Sequence, residues 1–366
     1  MKFTITRETL LTPLQQIVSV IEKRQTMPIL GNVLLVLKND YLTMIGTDLE
    51  VQLILKLHLP NAISGSITIP ARKFLDICRL LPAGSEIKFE QNDDKVKITS
   101  NRSRFSLNCL PADNYPDFDE GELDHIFVIK SAQLKKALDQ TTFCMANQDV
   151  RYYLNGMLLH ISNSRLEIVA SDGHRLALYE DQLDVPTGFE ARIILPRKGV
   201  LELNKLIAND DSELRVEFSN SSIRFFINDM IFSAKLVDSK YPDFSRVFQQ
   251  SFFNTIQIEK TALKNSLTRV AVLSNEKFKG VNFDISDESL KISAHNPEHD
   301  EAEEELAIVY GDEPLSIAFN AQYLSEAVAN LDGDIALITV AKDSSSCFIN
   351  EPNNEKYKYV VMAMRL

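Results

Sequence analysis

A metal-like spacing occurs at His295-Asn296-Pro297-Glu298-His299, an H-x-x-E-H arrangement. Two imidazoles four residues apart can hold one zinc ion when both lie on one face of a helix, with the glutamate nearby as a base. The neighbouring residues argue against a helix. Ser289 to Ala294 alternates as a strand does, and Pro297 removes an amide that an inner helical turn needs. A second candidate, Ser171-Asp172-Gly173-His174-Arg175, holds a hydroxyl, a carboxylate and an imidazole. Its tight spacing around a glycine predicts a turn in preference to a triad. A third is Arg151-Tyr152-Tyr153, following Asn147-Gln148-Asp149. Arginine beside tyrosines suits phosphates or exposed bases, and equally suits the start of a packed strand. Neither a Gly-rich phosphate loop nor a G-x-S-x-G elbow occurs. No catalytic residue, metal or cofactor is expected.

The elements that carry these stretches repeat. Ile45-Gly46-Thr47-Asp48 returns as Val169-Ala170-Ser171-Asp172 and again as Ser293-Ala294-His295-Asn296, and Asp48, Asp172 and Asn296 are each 124 positions apart. Tyr-Pro-Asp-Phe stands at 115–118 and at 241–244. A period this long is a whole domain, not a solenoid unit. Three copies are expected, at 1–120, 125–250 and 251–366, with joints near 119–124 and 249–254. Within a copy, a strand at Lys2 to Ile5 precedes a helix whose apolar face is Leu10, Leu14, Ile17, Val18 and Ile21. Strands follow at 33–38, 41–46 and 51–59. The second half repeats that order. A strand at 66–69 leads into a helix starting at Pro70, and strands follow at 86–90, 95–100 and 104–110. The expected fold class is α+β: three tandem copies of one domain, each two β-α-β-β-β units, with six long helices.

Composition places limits on function. The chain has 366 residues, 45% hydrophobic and 25% charged, as an ordinary globular protein does. The N-terminal residues lack the apolar core of a secretion signal, and no apolar run reaches the length of a membrane span. Four scattered cysteines, Cys78, Cys109, Cys144 and Cys347, are expected as reduced thiols in a cytoplasmic protein. A formal net charge of −12 argues against tight, salt-driven binding to a polyphosphate. Helices and their starts are nevertheless basic, with Arg7, Arg24, Arg72, Lys73, Lys136, Lys198 and Arg269 among their residues. That pattern fits a positive face for a loose phosphate contact, and also plain solvation of exposed helices.

Four stretches resemble a known family: Gln148-Asp149-Val150-Arg151-Tyr152-Tyr153-Leu154-Asn155-Gly156-Met157, Ser171 to Leu176, Leu273 to Val281, and Val360-Val361-Met362-Ala363-Met364-Arg365-Leu366. Together, and over the whole chain, they resemble the bacterial sliding clamps, the β subunits of DNA polymerase III. The resemblance implies a head-to-tail homodimer closing into a ring of six similar domains, helices inside and sheets outside, around duplex DNA without sequence specificity. Such a ring is a processivity factor in DNA replication, not an enzyme. The implied DNA contacts are Arg24, Arg72, Gln148, Tyr152 and Tyr153. The implied peptide cleft is lined by Leu154, Ser171, Gly173, His174, Arg175, Leu176, Pro242, Arg246, Val247, Phe278, Asn320, Tyr323, Ser346, Val360, Val361, Met362, Met364, Arg365 and Leu366. Its partners would be the polymerase III α subunit, the clamp loader complex, and other DNA polymerases and repair proteins carrying short Gln- and Leu-containing peptides. The implied dimer seam sets Phe105 and Leu107 against Val272 and Leu273 of a second copy, with Lys73 and Arg102 facing acidic residues such as Glu298. Two positions depart from the family pattern. Ala363 stands where proline is frequent, and Ser344 where an apolar residue can line the cleft. Competing readings are a protein-binding scaffold that does not encircle DNA and a metallohydrolase built on His295 and His299.

Overall fold

The computed structural model describes residues 1–22, 27–248 and 251–365. Repeat one runs β1 (Lys2–Thr6), α1 (Arg7–Val20), β2 (Asn32–Lys38), β3 (Tyr41–Thr47), β4 (Val51–His58), β5 (Gly65–Pro70), α2 (Ala71–Leu80), β6 (Glu86–Asn92), β7 (Lys95–Ser100) and β8 (Ser103–Asn108). Repeat two runs β9 (His125–Lys130), α3 (Ser131–Thr141), β10 (Gly156–Ser162), β11 (Arg165–Ser171), β12 (Arg175–Gln182), β13 (Ala191–Pro196), α4 (Arg197–Leu206), β14 (Glu213–Phe218), β15 (Ser222–Ile227) and β16 (Met230–Lys235). Repeat three runs β17 (Ile256–Glu259), α5 (Lys260–Val270), β18 (Gly280–Ile285), β19 (Ser289–His295), β20 (Glu301–Ala307), β21 (Leu315–Asn320), α6 (Ala321–Ala329), β22 (Ile335–Val340), β23 (Ser346–Glu351) and β24 (Asn354–Met362). The plan of three copies, each with two β-α-β-β-β halves, is the one the sequence predicts.

Local chemistry explains the elements. In α1 the Thr6 hydroxyl accepts from the Thr9 amide at 3.3 Å and caps the helix start. Leu10, Leu14, Ile17 and Val18 recur on one face and are buried. That face lies close on β3, where a Cβ at Gly46 would stand 2.9 Å from the Ile17 side chain and 3.0 Å from its carbonyl. The hairpin between β2 and β3 turns through Asn39 and Asp40 at φ 51° and 60°. Asn163 and Ser164, 124 positions on, take φ 52° and 60°. Two consecutive left-handed residues match the twist of a two-residue hairpin.

One feature of the pairing departs from a simple reading of two self-contained halves. The opening strand of each half joins the other half's meander: β1 edges the sheet β1-β6-β7-β8, and β5 edges β5-β2-β3-β4. Neighbouring repeats then join strand to strand. Strand β4 pairs with β16, and β12 with β24, each antiparallel, giving two eight-stranded sheets. Because these ladders are as regular as those within a repeat, the compact units do not follow the repeats. One unit comprises Met1–Lys135 with Lys198–Asp238, the other Lys136–Arg197 with Ser239–Leu366. Each contains one eight-stranded sheet and one four-stranded sheet. The four-stranded sheets end in open edges, β8 in the first unit and β20 in the second. Among the described residues, no helix is long and apolar enough to cross a membrane.

Candidate functional site

The catalytic look-alikes resolve as turns. In repeat one the Thr47 hydroxyl donates to the Val51 carbonyl at 2.7 Å and accepts from Leu49, while Asp48 Oδ1 accepts from the amides of Glu50 and Val51. Repeat two reproduces every bond. The Ser171 hydroxyl donates to the Arg175 carbonyl at 2.7 Å and accepts from Gly173, and Asp172 Oδ1 accepts from His174 and Arg175. Ser171 therefore has no base to activate it, and Asp172 is a turn cap. The third turn is one residue longer: Thr47 pairs with Gln52 and Ser171 with Leu176, but His295 pairs with Glu301. His295 ends β19, and His299 sits inside the turn at φ 68°. The pair lies on strand and turn, not on the helix face that zinc ligation by this motif requires. The cysteines are equally inert. Burial pushes the Cys78 thiol up to about 12 and the Cys109 thiol to about 11, and raises Cys144 and Cys347 as well.

A second feature, in the second unit, is a loop that precedes β10. Asn155 closes it by exchanging bonds with Asp149, side-chain Oδ1 to amide at 2.8 Å and Nδ2 to carbonyl at 2.7 Å. Arg151 grips Asp149 through Nε and a second nitrogen at 3.0 and 2.9 Å and donates to the Asp172 carbonyl at 3.2 Å. These bonds hold the Asp149 carboxyl down at about 2. Arg151 is thus a brace between this loop and the 171–175 turn, and its guanidinium lies where a Cβ on Gly173 would fall. The acid two positions earlier was the available signal for this pairing. Around the brace, Tyr152 is 76% exposed, Gln148 is exposed at φ 60°, and Tyr153 sets its ring edge-on to Tyr241 at 6.1 Å. Arg72, in the first unit, is exposed and donates to the Ile21 carbonyl at 2.9 Å. Arg24 lies outside the described residues. Much of the positive charge on the helices is already paired: Lys136 with Asp332, Lys198 with Asp48 and Glu22, Lys205 with Glu202, Arg269 with Glu304.

The third cluster gathers most of the cleft residues in the second unit. The β12–β24 ladder sets Arg175 opposite Val361 and Leu176 opposite Val360. Beyond it the Met362 amide donates to the His174 carbonyl at 2.9 Å, the Ala363 amide to Ser345 at 2.9 Å, and the Met364 amide to Ala318 at 2.8 Å. Those bonds fix the tail 362–364 as a ledge between the 171–175 turn and β21. A proline at 363 could not make its bond, which gives this departure from the family pattern a structural role. Ser344 occupies a turn at φ 56°, where an apolar branched residue would be strained, and it is exposed there. Met362 is 48% and Phe278 51% exposed, His174 stacks on Tyr323 at 6.5 Å, and Asn320 donates to the Phe278 carbonyl at 3.2 Å. Leu154, Leu176, Ser346, Val360 and Val361 are buried and lie beneath this surface. Pro242 is exposed, Val247 half-buried, and Arg246 is paired with Asp243 at 3.6 Å. Leu366 lies outside the described residues. Arg175 is not a surface ligand: its side chain is 9% exposed, bonded to Asp172, Glu326 and the Phe143 carbonyl, and sandwiched by the Phe143 and Tyr323 rings. Phe143 and Glu326, which sequence reasoning missed, complete this strut; only Asp172, three positions before Arg175, hinted at it.

Phe105 and Leu107 are half-buried on the open edge β8, beside exposed Arg102, while Lys73 is exposed on α2. Val272 is 75% exposed and Leu273 half-buried at the end of α5, and Glu298 is exposed in the turn before β20.

The chain is a triplicated α+β protein whose copies join edge to edge through β4–β16 and β12–β24. Family models for the DNA polymerase III beta subunit match in succession, the N-terminal domain over residues 1–119, the central domain over 128–243 and the C-terminal domain over 245–365. The chain is 41% identical to the beta sliding clamp of Pseudomonas aeruginosa over 367 residues, and 41% identical to that of Escherichia coli over 370, each match covering 100% of both chains. A crystal structure of the P. aeruginosa sliding clamp bound to griselimycin superposes with a TM-score of 0.96 at 41% identity over 100% of both chains. The Caulobacter crescentus protein does so with a TM-score of 0.93 at 31% identity over 100% of both. The chain belongs to the DNA polymerase III beta subunit family. Its function is that of a DNA sliding clamp, a non-catalytic processivity factor of replication.

Proposed function

We propose that two copies of this chain, each with domains at 1–120, 125–250 and 251–366, close head to tail into a ring around duplex DNA. The observation that carries this is the repeated seam. Taken by cross-strand partner, Ser106 opposite Lys97, Ser233 opposite Arg224 and Val360 opposite Phe348 hold equivalent places, the last across a bulge in its hairpin, and Gln52, Leu176 and Glu301 hold equivalent places opposite Thr47, Ser171 and His295. Ser233 faces Gln52 and Val360 faces Leu176 in the two seams within the chain. Of the strands that close a three-strand meander, β8 and β20 alone lack a partner meander among the described residues, so the third seam would set Ser106 against Glu301 of the second copy. In that register Phe105 meets Ala302 on the helix side and Arg104 meets Glu303 on the outer side, opposite charges on facing strands. Val272 and Leu273, with Lys73, Arg102 and Glu298, would flank it.

A closed ring retains DNA by topology, so the acidic net charge costs it nothing in holding and limits non-specific sticking. Arg24, Arg72, Gln148, Tyr152 and Tyr153 would touch the encircled duplex. The ledge at 362–364 and the His174–Tyr323 wall would take a short Gln- and Leu-containing peptide from the polymerase α subunit, the clamp loader, and other polymerases and repair proteins, in the cytoplasm. Tethering raises a polymerase's effective concentration at the primer end.

The test uses nicked circular DNA, the loader and ATP, with protein retained on DNA counted by gel filtration before and after the circle is cut. Retention on the circle and loss from the linear form is expected; equal retention on both would mean ordinary charge-driven binding. For the cleft, Met362→Ala and Met364→Ala should each weaken a fluorescent docking peptide by about 1 kcal/mol or more, as deletion of an apolar contact does. Unchanged anisotropy titrations would remove these residues from the cleft.

A further inference from the structure

We propose that His295-Asn296-Pro297 walls a pocket for an aromatic side chain carried on the flank of the docked peptide, just outside the docking motif. This inference rests on the peptide cleft proposed above and extends it. A cavity of about 400 Å³ is lined by Asn275, Phe278, Gly280, His295, Asn296, Pro297, Met364 and Arg365. It is continuous with the cleft. Phe278, Met364 and Arg365 belong to both, and the walls are tied together. The Phe278 carbonyl accepts from Asn320, the Asn320 side chain caps the Gln322 and Tyr323 amides, and the Tyr323 ring stacks on His174. The Met364 amide, bonded to Ala318, holds the tail between the two spaces. A peptide lying along the ledge past Met362 therefore runs into this cavity at one of its ends.

The lining selects a flat apolar group. Phe278 offers an exposed ring, Met364 a thioether that packs favourably on aromatic edges, and Pro297 and His295 two further flat faces. The turn that supplies His295 to Pro297 is the one lengthened by a residue relative to its two counterparts. The stretch that resembles a zinc signature thus has a docking role.

The experiment compares three labelled peptides by anisotropy: a core peptide with only the Gln- and Leu-containing motif, the same peptide extended with Phe one to three residues beyond either end, and its Ala twin. Each is titrated against the full-length protein and against His295→Trp, which fills the cavity from an exposed strand end. One Phe extension should bind about ten-fold tighter than its Ala twin, the gain expected from burying most of a ring. The gain should vanish in His295→Trp while the core peptide binds both proteins equally. No gain over the Ala twin, with the core peptide still binding, overturns the pocket and leaves the cleft standing. A core peptide that does not bind removes the cleft and the pocket with it. Independently of any variant, benzophenone-alanine at the extension should photo-crosslink to residues 295–297 or 364–365; adducts confined elsewhere overturn the proposal.

Discussion

Ser106→Cys combined with Glu301→Cys, oxidised without reductant, is expected to run as a covalent dimer on a denaturing gel. The expectation follows from a register fixed twice within the chain. Strands β16 and β24 meet their partners at equivalent residues, Ser233 at Gln52 and Val360 at Leu176. Directly opposed residues on antiparallel strands have Cα atoms roughly 4.5–5.5 Å apart, within the span of a disulfide. Moving the second cysteine two places, as Ser106→Cys with Glu303→Cys, makes the pair diagonal, about 7–8 Å apart, and should leave the chain monomeric on the same gel. Both chosen positions are exposed, and all four native cysteines are buried, so the native thiols do not compete. A protein loaded on a nicked circle under reducing conditions and then oxidised should survive high salt on the circle and leave when the circle is cut. Equal crosslinking of the direct and shifted pairs would defeat the register, and no crosslinking by either would defeat the ring.

Much of this was legible in sequence because it is periodic. The offset of 124 residues locates three turns, and the backbone honours it to the φ angles of Asn39-Asp40 and Asn163-Ser164. Alternation locates the strands, since a strand with one buried face must alternate. What periodicity cannot give is the partner of each strand. Lys2 to Ile5 reads as a strand, but nothing in it says that it will pair with β6 instead of β2. Residue type misleads at arginines. Arg151 and Arg175 read as hands held out to a ligand, and both prove to brace a loop or turn, because a guanidinium satisfies several carboxylate and carbonyl oxygens at once. The nearby acids, Asp149 and Asp172, mark such braces only in retrospect, since short acid–arginine spacings are common on solvated surfaces. The His295 motif misleads in the opposite way: its chemistry suggests a metal, while its position on a strand end makes it a wall.

Arg175→Ala is the substitution expected to damage the second unit most. Its side chain is 9% exposed, with Asp172, Glu326 and the Phe143 carbonyl as partners and an aromatic ring on each side. Truncation leaves two carboxylates facing one another without their shared cation and opens the space between Phe143 and Tyr323. Breaking a buried pair costs about 3–5 kcal/mol. Glu326 keeps 34% of its side chain in solvent, so the lower end, about 3 kcal/mol, is the expected loss. It would be read as a fall in the denaturant midpoint. Arg175→Lys should recover little of it, because one ammonium cannot span three acceptors or lie flat between two rings. The effect also has a pH signature. Burial would raise the Glu326 carboxyl, but bonds from Gln322 and Arg175 hold it below its ordinary value of 4.5. A carboxyl lowered in the folded state adds stability that is fully present above its unfolded value and is lost as pH falls through the folded one. The stability gap between the wild-type protein and Arg175→Ala should therefore be widest near neutrality and narrow as pH falls below about 4.5. A gap that stayed constant into acid would mean that Arg175 acts through packing on the two rings alone. Because Tyr323 stacks on His174, the same variant should also loosen the docking peptide, although Arg175 itself would never touch it.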